Sequence, residues 1–311
     1  MTTVRDRQEQ LDAAYRHCAA VAARYGKSYH LATRLLTPHR RPAVHALYAA
    51  ARTADDLVDL PGDDPAGDLT AWSAAVLTEL QEGWSDDPVR LALVHTFRRY
   101  DIPVEHLVDF LAAMTSDLEV TGYATMDALD RYMWGSAAVI GLQVLPVLGT
   151  ARGVPRAEAE PYAIALGEAF QLTNFLRDVG EDIDRGRVYL PADRMAAHGV
   201  TREQLAQKRH DARFADLMRE MVAVVRRRYD DAAPGTALLA RESRDCVRAA
   251  TALYGGILRE IERADYRVLD RRVSVSRPRR LAVFARRLTA AQLARVSVTM
   301  AKPNRRSSTG A

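Results

Sequence analysis

An all-helical single domain is the fold class this sequence predicts, and three observations carry the prediction. Apolar residues recur at three- and four-residue spacing along most of the chain. Ala, Leu, Arg and Glu, all good helix formers, are abundant, while alternating β-branched runs are almost absent. The 311 residues include only 17 Gly and 13 Pro, and 48% are hydrophobic, which suits a globular chain with a large core.

The spacing predicts helices over 11–25, 39–58, 70–81, 89–100, 104–119 and 126–148. Breaker clusters separate them: Leu60-Pro-Gly-Asp-Asp-Pro-Ala-Gly67, Ser85-Asp-Asp-Pro88, Asp101-Ile-Pro103 and the segment 149–155. A long helix is expected over 161–182, ending before Arg185-Gly186. Past Leu190-Pro191 and a loop with Gly199, Thr201-Arg-Glu-Gln204 has the form of a capping box, with Thr201 as N-cap. Helices follow over 211–230, 235–264 and 278–288. No internal repeat and no long Pro/Gly/Ser linker divides the chain, so residues 1–300 are expected to form one domain and 301–311 a disordered tail.

Formal net charge is +4, supplied almost entirely by arginine. A solvated surface accounts for such a balance, and the sharper alternative is an anionic partner: diphosphate, anionic lipid or nucleic acid. Cys18 and Cys246 are far apart and lack metal-type spacing, which excludes a disulfide framework and a zinc site and fits a reducing cytoplasm. Residues 1–10 are polar, without a signal-type apolar stretch. No run approaches the roughly 18 apolar residues of a membrane-spanning helix; the longest candidate, 137–148, is interrupted by Gln143 and Pro146. A cytoplasmic protein, at most peripheral to a membrane, is expected.

Two acidic clusters stand out. The first is Arg52-Thr-Ala-Asp55-Asp56-Leu-Val-Asp59, the second Gln171-Leu-Thr-Asn174-Phe-Leu-Arg177-Asp178-Val-Gly-Glu181-Asp182. Asp55 and Asp59 share a helix face, as do Asn174, Asp178 and Asp182, with Gln171 about a turn earlier. Carboxylates stacked this way repel unless a cation stands between them. Magnesium takes oxygen ligands, commonly one or two carboxylates plus substrate phosphates. Two such stripes facing each other would hold diphosphates through metal, with Arg52 and Arg177 neutralising phosphate oxygens. A solvated helix face explains one acidic pair; two pairs, each with an arginine close by, are harder to explain so. The same stripes would repel a nucleic-acid backbone in the absence of metal, so no nucleic-acid partner is expected.

Tyr48-Ala-Ala-Ala-Arg52-Thr-Ala-Asp55-Asp56-Leu-Val-Asp59 resembles the first aspartate-rich motif of the squalene/phytoene synthase family. The stretch from Gln171 through Asn174, Arg177-Asp178 and Asp182 to Tyr189-Leu-Pro191 resembles the second nearly residue for residue. Tyr25-Gly-Lys27-Ser28-Tyr29 and Leu253-Tyr254-Gly-Gly-Ile-Leu258 extend the resemblance over almost the whole chain. Ala32-Thr-Arg-Leu-Leu36, Val44-His-Ala-Leu-Tyr48 and Tyr132-Met-Trp-Gly-Ser136-Ala-Ala-Val-Ile-Gly141 are most similar to phytoene synthases of actinobacteria. In that last segment Ala137 to Gly141 replace the family's usual Ala-Gly-Thr-Val-Gly, which bears on the prenyl channel and the chain length accepted. The small residues Ala137 and Gly141 are expected to form a narrow cavity wall.

The resemblance implies an isoprenoid-synthase-type helical bundle around a central cavity, with residues 1–300 as the catalytic domain. It implies Asp55, Asp59, Asn174, Asp178 and Asp182 as metal or metal–diphosphate ligands. Lys27, Ser28, Tyr48, Arg52, Gln171, Arg177 and Tyr254 would contact diphosphate or a cyclopropyl intermediate, Tyr48 and Arg52 joining the aspartates in catalysis. The implied reaction joins two geranylgeranyl diphosphates head to head into phytoene, in carotenoid biosynthesis, with Mg2+ (Mn2+ as substitute) and without NADPH. The alternatives are squalene, dehydrosqualene or presqualene diphosphate synthesis from farnesyl diphosphate, and, more remotely, a non-enzymatic assembly protein. For Tyr48, Tyr132 and Tyr254 the plain alternative is a core place with a satisfied hydroxyl, and Trp134 is expected to pack. The eight histidines receive no role. Arg271, Arg272, Arg277, Arg279 and Arg280 are expected as a solvated cationic surface, with a secondary reading as a transient membrane contact for product release.

Overall fold

Side-chain caps set where several helices begin. Asp64 accepts from the Gly67 N–H ahead of Pro65, and Asp87 accepts from the N–H groups of Val89 and Arg90 ahead of Pro88. Thr125, Thr201 and Asp211 do the same for later helices. Each cap satisfies amides that the first turn leaves without an intrahelical partner, and proline at the first helical position loses no bond there. At Thr201 only half of the expected box forms. The hydroxyl accepts from Gln204 N, while the Gln204 side chain donates to the Arg209 carbonyl instead.

In this computed structural model residues 4–60 and 62–300 are described, the side chains of 289–300 excepted. The tail expected over 301–311 lies outside the described residues. The helices are α1 (Val4–Tyr25), α2 (Lys27–Thr33), α3 (Arg41–Asp59), α4 (Pro65–Glu82), α5 (Pro88–Tyr100), α6 (Glu105–Ser116) and α7 (Met126–Met133). A π-helical turn (Trp134–Ala138) leads into α8 (Val139–Leu148) and then α9 (Arg156–Asp184). After these come α10 (Ala192–Ala197), α11 (Arg202–Ala206), α12 (Ala212–Ala232), α13 (Gly235–Leu238), α14 (Arg241–Arg263) and α15 (Arg277–Met300). Among the described residues β-type pairing is limited to two isolated bridges, Gly122–Val188 and Thr150–Leu239. The predicted all-helical class holds.

The long helices α3 and α9 lie at the centre. α3 packs on α1 and α5; α9 packs on α12, α8 and α14. Their inner faces bury Ala46, Leu47, Ala50 and Ala54 from α3 and Leu172, Phe175, Leu176 and Val179 from α9. Alanine on α3 lets neighbouring helices approach closely.

Two predicted helices are broken. The segment expected as one helix over 126–148 contains the π turn, and Trp134 there is 43% exposed, its Nε1 donating to Asp109 Oδ2 at 2.8 Å. Packing is therefore not its place. The helix expected over 235–264 is split at Leu239–Ala240, where the backbone extends to pair with the turn after α8 (Ala151 N to Leu238 O, 2.7 Å; Ala240 N to Gly149 O, 2.8 Å). Conversely α2, seven residues long, is too short for periodicity to reveal.

Ala137 and Gly141 correct another expectation. A Cβ on Gly141 would lie 2.3 Å from the Ala163 carbonyl oxygen, and one on Gly167 would lie 2.5 Å from that of Ala137. These small residues let the π turn and α8 touch the backbone of α9; they form a helix crossing, not a cavity wall. Gly141→Ala is expected to cost about 1–3 kcal/mol through overpacking. A thermal melt would show this as a drop of several degrees, and an unchanged melting temperature would contradict the crossing.

Candidate active site

The acidic motifs occupy the C-terminal halves of α3 and α9. α3 ends at Asp59 and is capped by Leu60, whose extended backbone (φ −91°, ψ 143°) is the one a residue before proline prefers. α9 ends at Asp184, and the chain turns back through Gly186 (φ 78°), with Arg187 N–H donating to the Asp182 carbonyl at 2.8 Å. That turn points two arginines at the other motif: Arg185 Nη1 donates to Asp59 Oδ2 at 3.1 Å, and Arg187 Nη1 donates to Asp59 Oδ1. The ends of the two motifs therefore meet at Asp59.

Each motif also carries its own cation. Arg52 donates to Asp55 Oδ2 at 3.0 Å and to Asp56. Arg177 grips Asp178 with two donors, Nε to Oδ1 at 2.7 Å and Nη2 to Oδ2. A third arginine arrives from the C-terminal region, Arg272 Nε to Asp178 Oδ1 at 3.0 Å, and its Nη1 lies 3.4 Å from Glu181. Arg271, Arg272 and Arg277 are exposed, as expected of a solvated cationic surface, but that surface also engages acidic groups: Arg272 closes on the second motif, Arg279 pairs with Glu260, and Arg271 pairs with Asp270.

Even so, the carboxylates crowd one another. Burial, with Asp178 next and Asp59 contributing, pushes the Asp182 carboxyl up to about 8. Burial, then Asp59, raises Asp55 to about 6. Asp117, at the end of α6, is raised to about 6 by burial, against the Tyr132 hydroxyl that donates to its Oδ2 at 2.6 Å. Asp117 influences both Asp55 and Asp59 across the site, so three elements bring carboxylates to one region.

Aromatic rings line the acidic region. Phe175 and Tyr189 stack at 4.0 Å and 5°, with Tyr132 at 5.9 Å and Tyr123 at 6.0 Å from Tyr189. A small void beside this stack is bordered by Asp182 and Arg187. On the other side, Tyr48 stacks on Tyr29 at 5.1 Å, Tyr254 stacks on Phe170 at 4.5 Å, and the Tyr25 ring lies 5.0 Å from the Arg52 guanidinium. Burial, then Tyr254, pushes Tyr48 up to about 12. Gly26 makes the α1–α2 corner fit, since a Cβ there would stand 2.8 Å from Tyr48 Cζ. Lys27 and Ser28 open α2 directly after that corner, and Gln171 sits about one turn before Asn174.

The donor set fits a hard dication held partly by substrate. Asn174 Oδ1 is buried without a hydrogen-bond partner, on the same face as Asp178. Its carbonyl oxygen and the crowded carboxylates are the ligands magnesium prefers. Among the described residues no three His, Cys, Asp or Glu side chains are grouped closely enough to hold a metal by themselves, so phosphate oxygens would have to complete the shell.

Sequence reasoning gave no role to Asp117 or Arg187, and gave Arg272 only a place on a cationic surface. Arg187 stands inside the second motif; Asp117 and Arg272 are brought in by the fold, with no local spacing to signal them.

The family model for squalene/phytoene synthases matches residues 22–279. The chain is 37% identical over 276 residues to the chloroplastic phytoene synthase 2 of Solanum lycopersicum, covering 87% of this chain and 88% of that one. It is 35% identical over 281 residues to the 15-cis-phytoene synthase of Synechocystis, covering 87% and 83%. Its fold is similar to that of a crystallised dehydrosqualene synthase with ligand, at TM-score 0.84 and 26% identity over 93% of this chain and 100% of that one. A squalene synthase from Alicyclobacillus acidocaldarius shares the fold at TM-score 0.74 and 22% identity, over 82% of this chain and 95% of that one. With both acidic motifs inside the matched region, the chain belongs to the squalene/phytoene synthase family.

Proposed function

We propose that this protein joins two geranylgeranyl diphosphates head to head, through a cyclopropylcarbinyl diphosphate, into phytoene for carotenoid biosynthesis. The observation that carries this is the meeting of the two acidic motifs at Asp59, where α3 and the turn after α9 face each other beside an aromatic wall. Relatives named as phytoene synthases, at 35–37% identity over most of the chain, support the substrate and product.

Asp55, Asp59, Asn174, Asp178 and Asp182 would hold magnesium, or manganese in its place, together with the substrate diphosphates. The bound ions would neutralise charge developing on the leaving diphosphate. Arg52 and Arg177 would shift part of their hold from Asp55 and Asp178 to phosphate oxygens, with Lys27, Ser28, Gln171 and Tyr254 completing the grip. The rings of Phe175, Tyr132 and Tyr189 give the carbocation a dry wall whose π faces attract positive charge. Product forms by loss of a proton, so no hydride donor enters.

Purified protein with magnesium should convert geranylgeranyl diphosphate into a forty-carbon hydrocarbon, unchanged by NADPH. A second reading, dehydrosqualene-type chemistry on farnesyl diphosphate, is favoured by the likeness to the dehydrosqualene synthase structure. It takes over if farnesyl diphosphate alone is consumed.

Arg177→Lys tests the guanidinium. Arg177 holds Asp178 through Nε and Nη2 together, a fork that the single ammonium of lysine cannot copy. Impaired but detectable turnover with a raised KM is expected. Unchanged kinetics would place this arginine outside the diphosphate site.

A further inference from the structure

Far from the acidic motifs, the fold gathers four arginines and four of the eight histidines around one groove of about 710 Å³. It is bounded by α1, the α2–α3 connection, the first turn of α3 and the end of α5. Arg16, Arg34, Arg41 and Arg99 face it against a single carboxylate, Asp12, whose Oδ1 already accepts from Gln8 Nε2 at 2.9 Å. Arg16, Arg34 and Arg99 make no ion pair among the described residues. Elsewhere arginines of this chain find carboxylates readily, as Arg40 does with Glu242 and Arg90 with Glu79.

The start of α3 adds to the imbalance. It has no side-chain cap and no acidic residue in its first turn, and Arg40 and Arg41 stand there instead. The N-terminal end of a 19-residue helix carries partial positive charge and favours an anion. Arg40 there is held by Glu242 and the carbonyls of Val147 and Leu148, and Arg41 by the carbonyls of Arg34 and Leu36, so the unpaired charge at this end of the groove is that of Arg16, Arg34 and Arg99. The imidazoles supply neutral polar groups. Burial, then nearby positive charge, lowers His30 and His95, and burial, then His30, lowers His45 to about 4. His95 Nδ1 pairs with the Tyr15 hydroxyl at 2.8 Å and His45 Nε2 with the Thr33 hydroxyl at 2.8 Å, which leaves the second nitrogen of each ring for another partner.

We propose that this groove is a second anion site, for a ligand carrying two or more clustered phosphate-type charges: a free diphosphate compound or an anionic lipid headgroup. Its formal charge of +3, four guanidiniums against one carboxylate, exceeds what one phosphate neutralises, and its volume exceeds what one needs. It is separate from the reaction centre. Arg41 and Asp55 lie at opposite ends of α3, about 21 Å apart along its axis at 1.5 Å per residue, and none of the acidic-motif residues lines the groove.

Full-length protein titrated calorimetrically with inorganic diphosphate in EDTA tests the soluble source, since without metal the acidic motifs repel diphosphate. Sedimentation with vesicles of phosphatidylcholine containing cardiolipin, whose headgroup carries two phosphates, against phosphatidylcholine alone, tests the headgroup. The variant Arg16→Gln/Arg34→Gln/Arg99→Gln should weaken whichever binding is found by about tenfold or more, as loss of charge-assisted hydrogen bonds implies. Its magnesium-dependent turnover should stay at the wild-type level. Arg16→Gln alone, on the exposed side of α1, serves where the triple variant melts early, with a smaller loss of the same kind. Binding in neither arm overturns the site. So does binding that falls less in the groove variant than in Arg52→Gln or in Arg277→Gln/Arg280→Gln.

Discussion

Asp178→Asn should abolish turnover while leaving the chain folded. Asp178 is the most heavily contacted carboxylate of the second motif, held by both donors of Arg177 and by Arg272. In the proposed reaction it exchanges part of that hold for metal, so asparagine keeps the shape but loses the charge the metal needs. Metal-borne charge stabilisation of a transition state amounts to several kcal/mol, and losing about 4 kcal/mol slows a reaction about a thousandfold. The folding balance is closer. Asparagine still offers Arg177 one acceptor, at a cost on the order of 1–3 kcal/mol for a weakened charged hydrogen bond. Against this, repulsion of Asp182 is relieved, since Asp178 is the largest neighbouring charge raising it. A melting temperature within a few degrees of wild type, together with loss of diphosphate release, is the expected pair of results. Full activity would remove Asp178 from the metal site; a collapsed fold would make its pairing with Arg177 chiefly structural.

Much of the site was legible because helix geometry makes it local. Four-residue spacing placed Asp55 with Asp59 on α3, and Asn174 with Asp178 and Asp182 on α9. The resemblance named Lys27, Tyr48 and Tyr254, and Tyr29 now links Tyr48 to the α2 corner while Tyr254 reaches Arg177 and Asp178. The hidden part is what tertiary packing supplies. Asp117 joins the carboxylates because α6 ends where Tyr132 can reach it, fifteen residues further on. Arg272 belongs to a segment without regular structure between α14 and α15, where periodicity is silent. The π turn itself contains the small residues Gly135 to Ala138, which local spacing ties to neither kind of helix, and it is packed against α9. Likewise no spacing rule groups His30, His45 and His95, which come from α2, α3 and α5.

A fall in the stability of metal-free protein between about pH 6.5 and pH 8 is the second large effect expected, and Asp182 is its source. Its carboxyl is raised to about 8 in the folded chain and returns to the ordinary carboxylate range, near 4, on unfolding. Across that window the folded state holds a proton that the unfolded state has released, so unfolding becomes easier as pH rises. The sign reverses for histidines. His30, His45, His95 and His106 are lowered by burial, so they favour the folded state progressively up to about pH 6.5 and then stop contributing. Asp55 and Asp117, raised to about 6, have largely ionised by that point, which isolates Asp182 in the upper window. One proton changes stability by at most about 1.4 kcal/mol per pH unit, and for a chain of this size that lowers the melting temperature by several degrees over the window. In EDTA, Asp182→Asn should melt above wild type at pH 8 and lose most of the slope. Magnesium with inorganic diphosphate should remove the slope in wild type as well, because metal binding takes the ionised carboxylate and releases its proton. A wild-type melting temperature that is flat or rising from pH 6.5 to 8 in EDTA would show that Asp182 is already ionised and that the acidic motifs do not crowd one another.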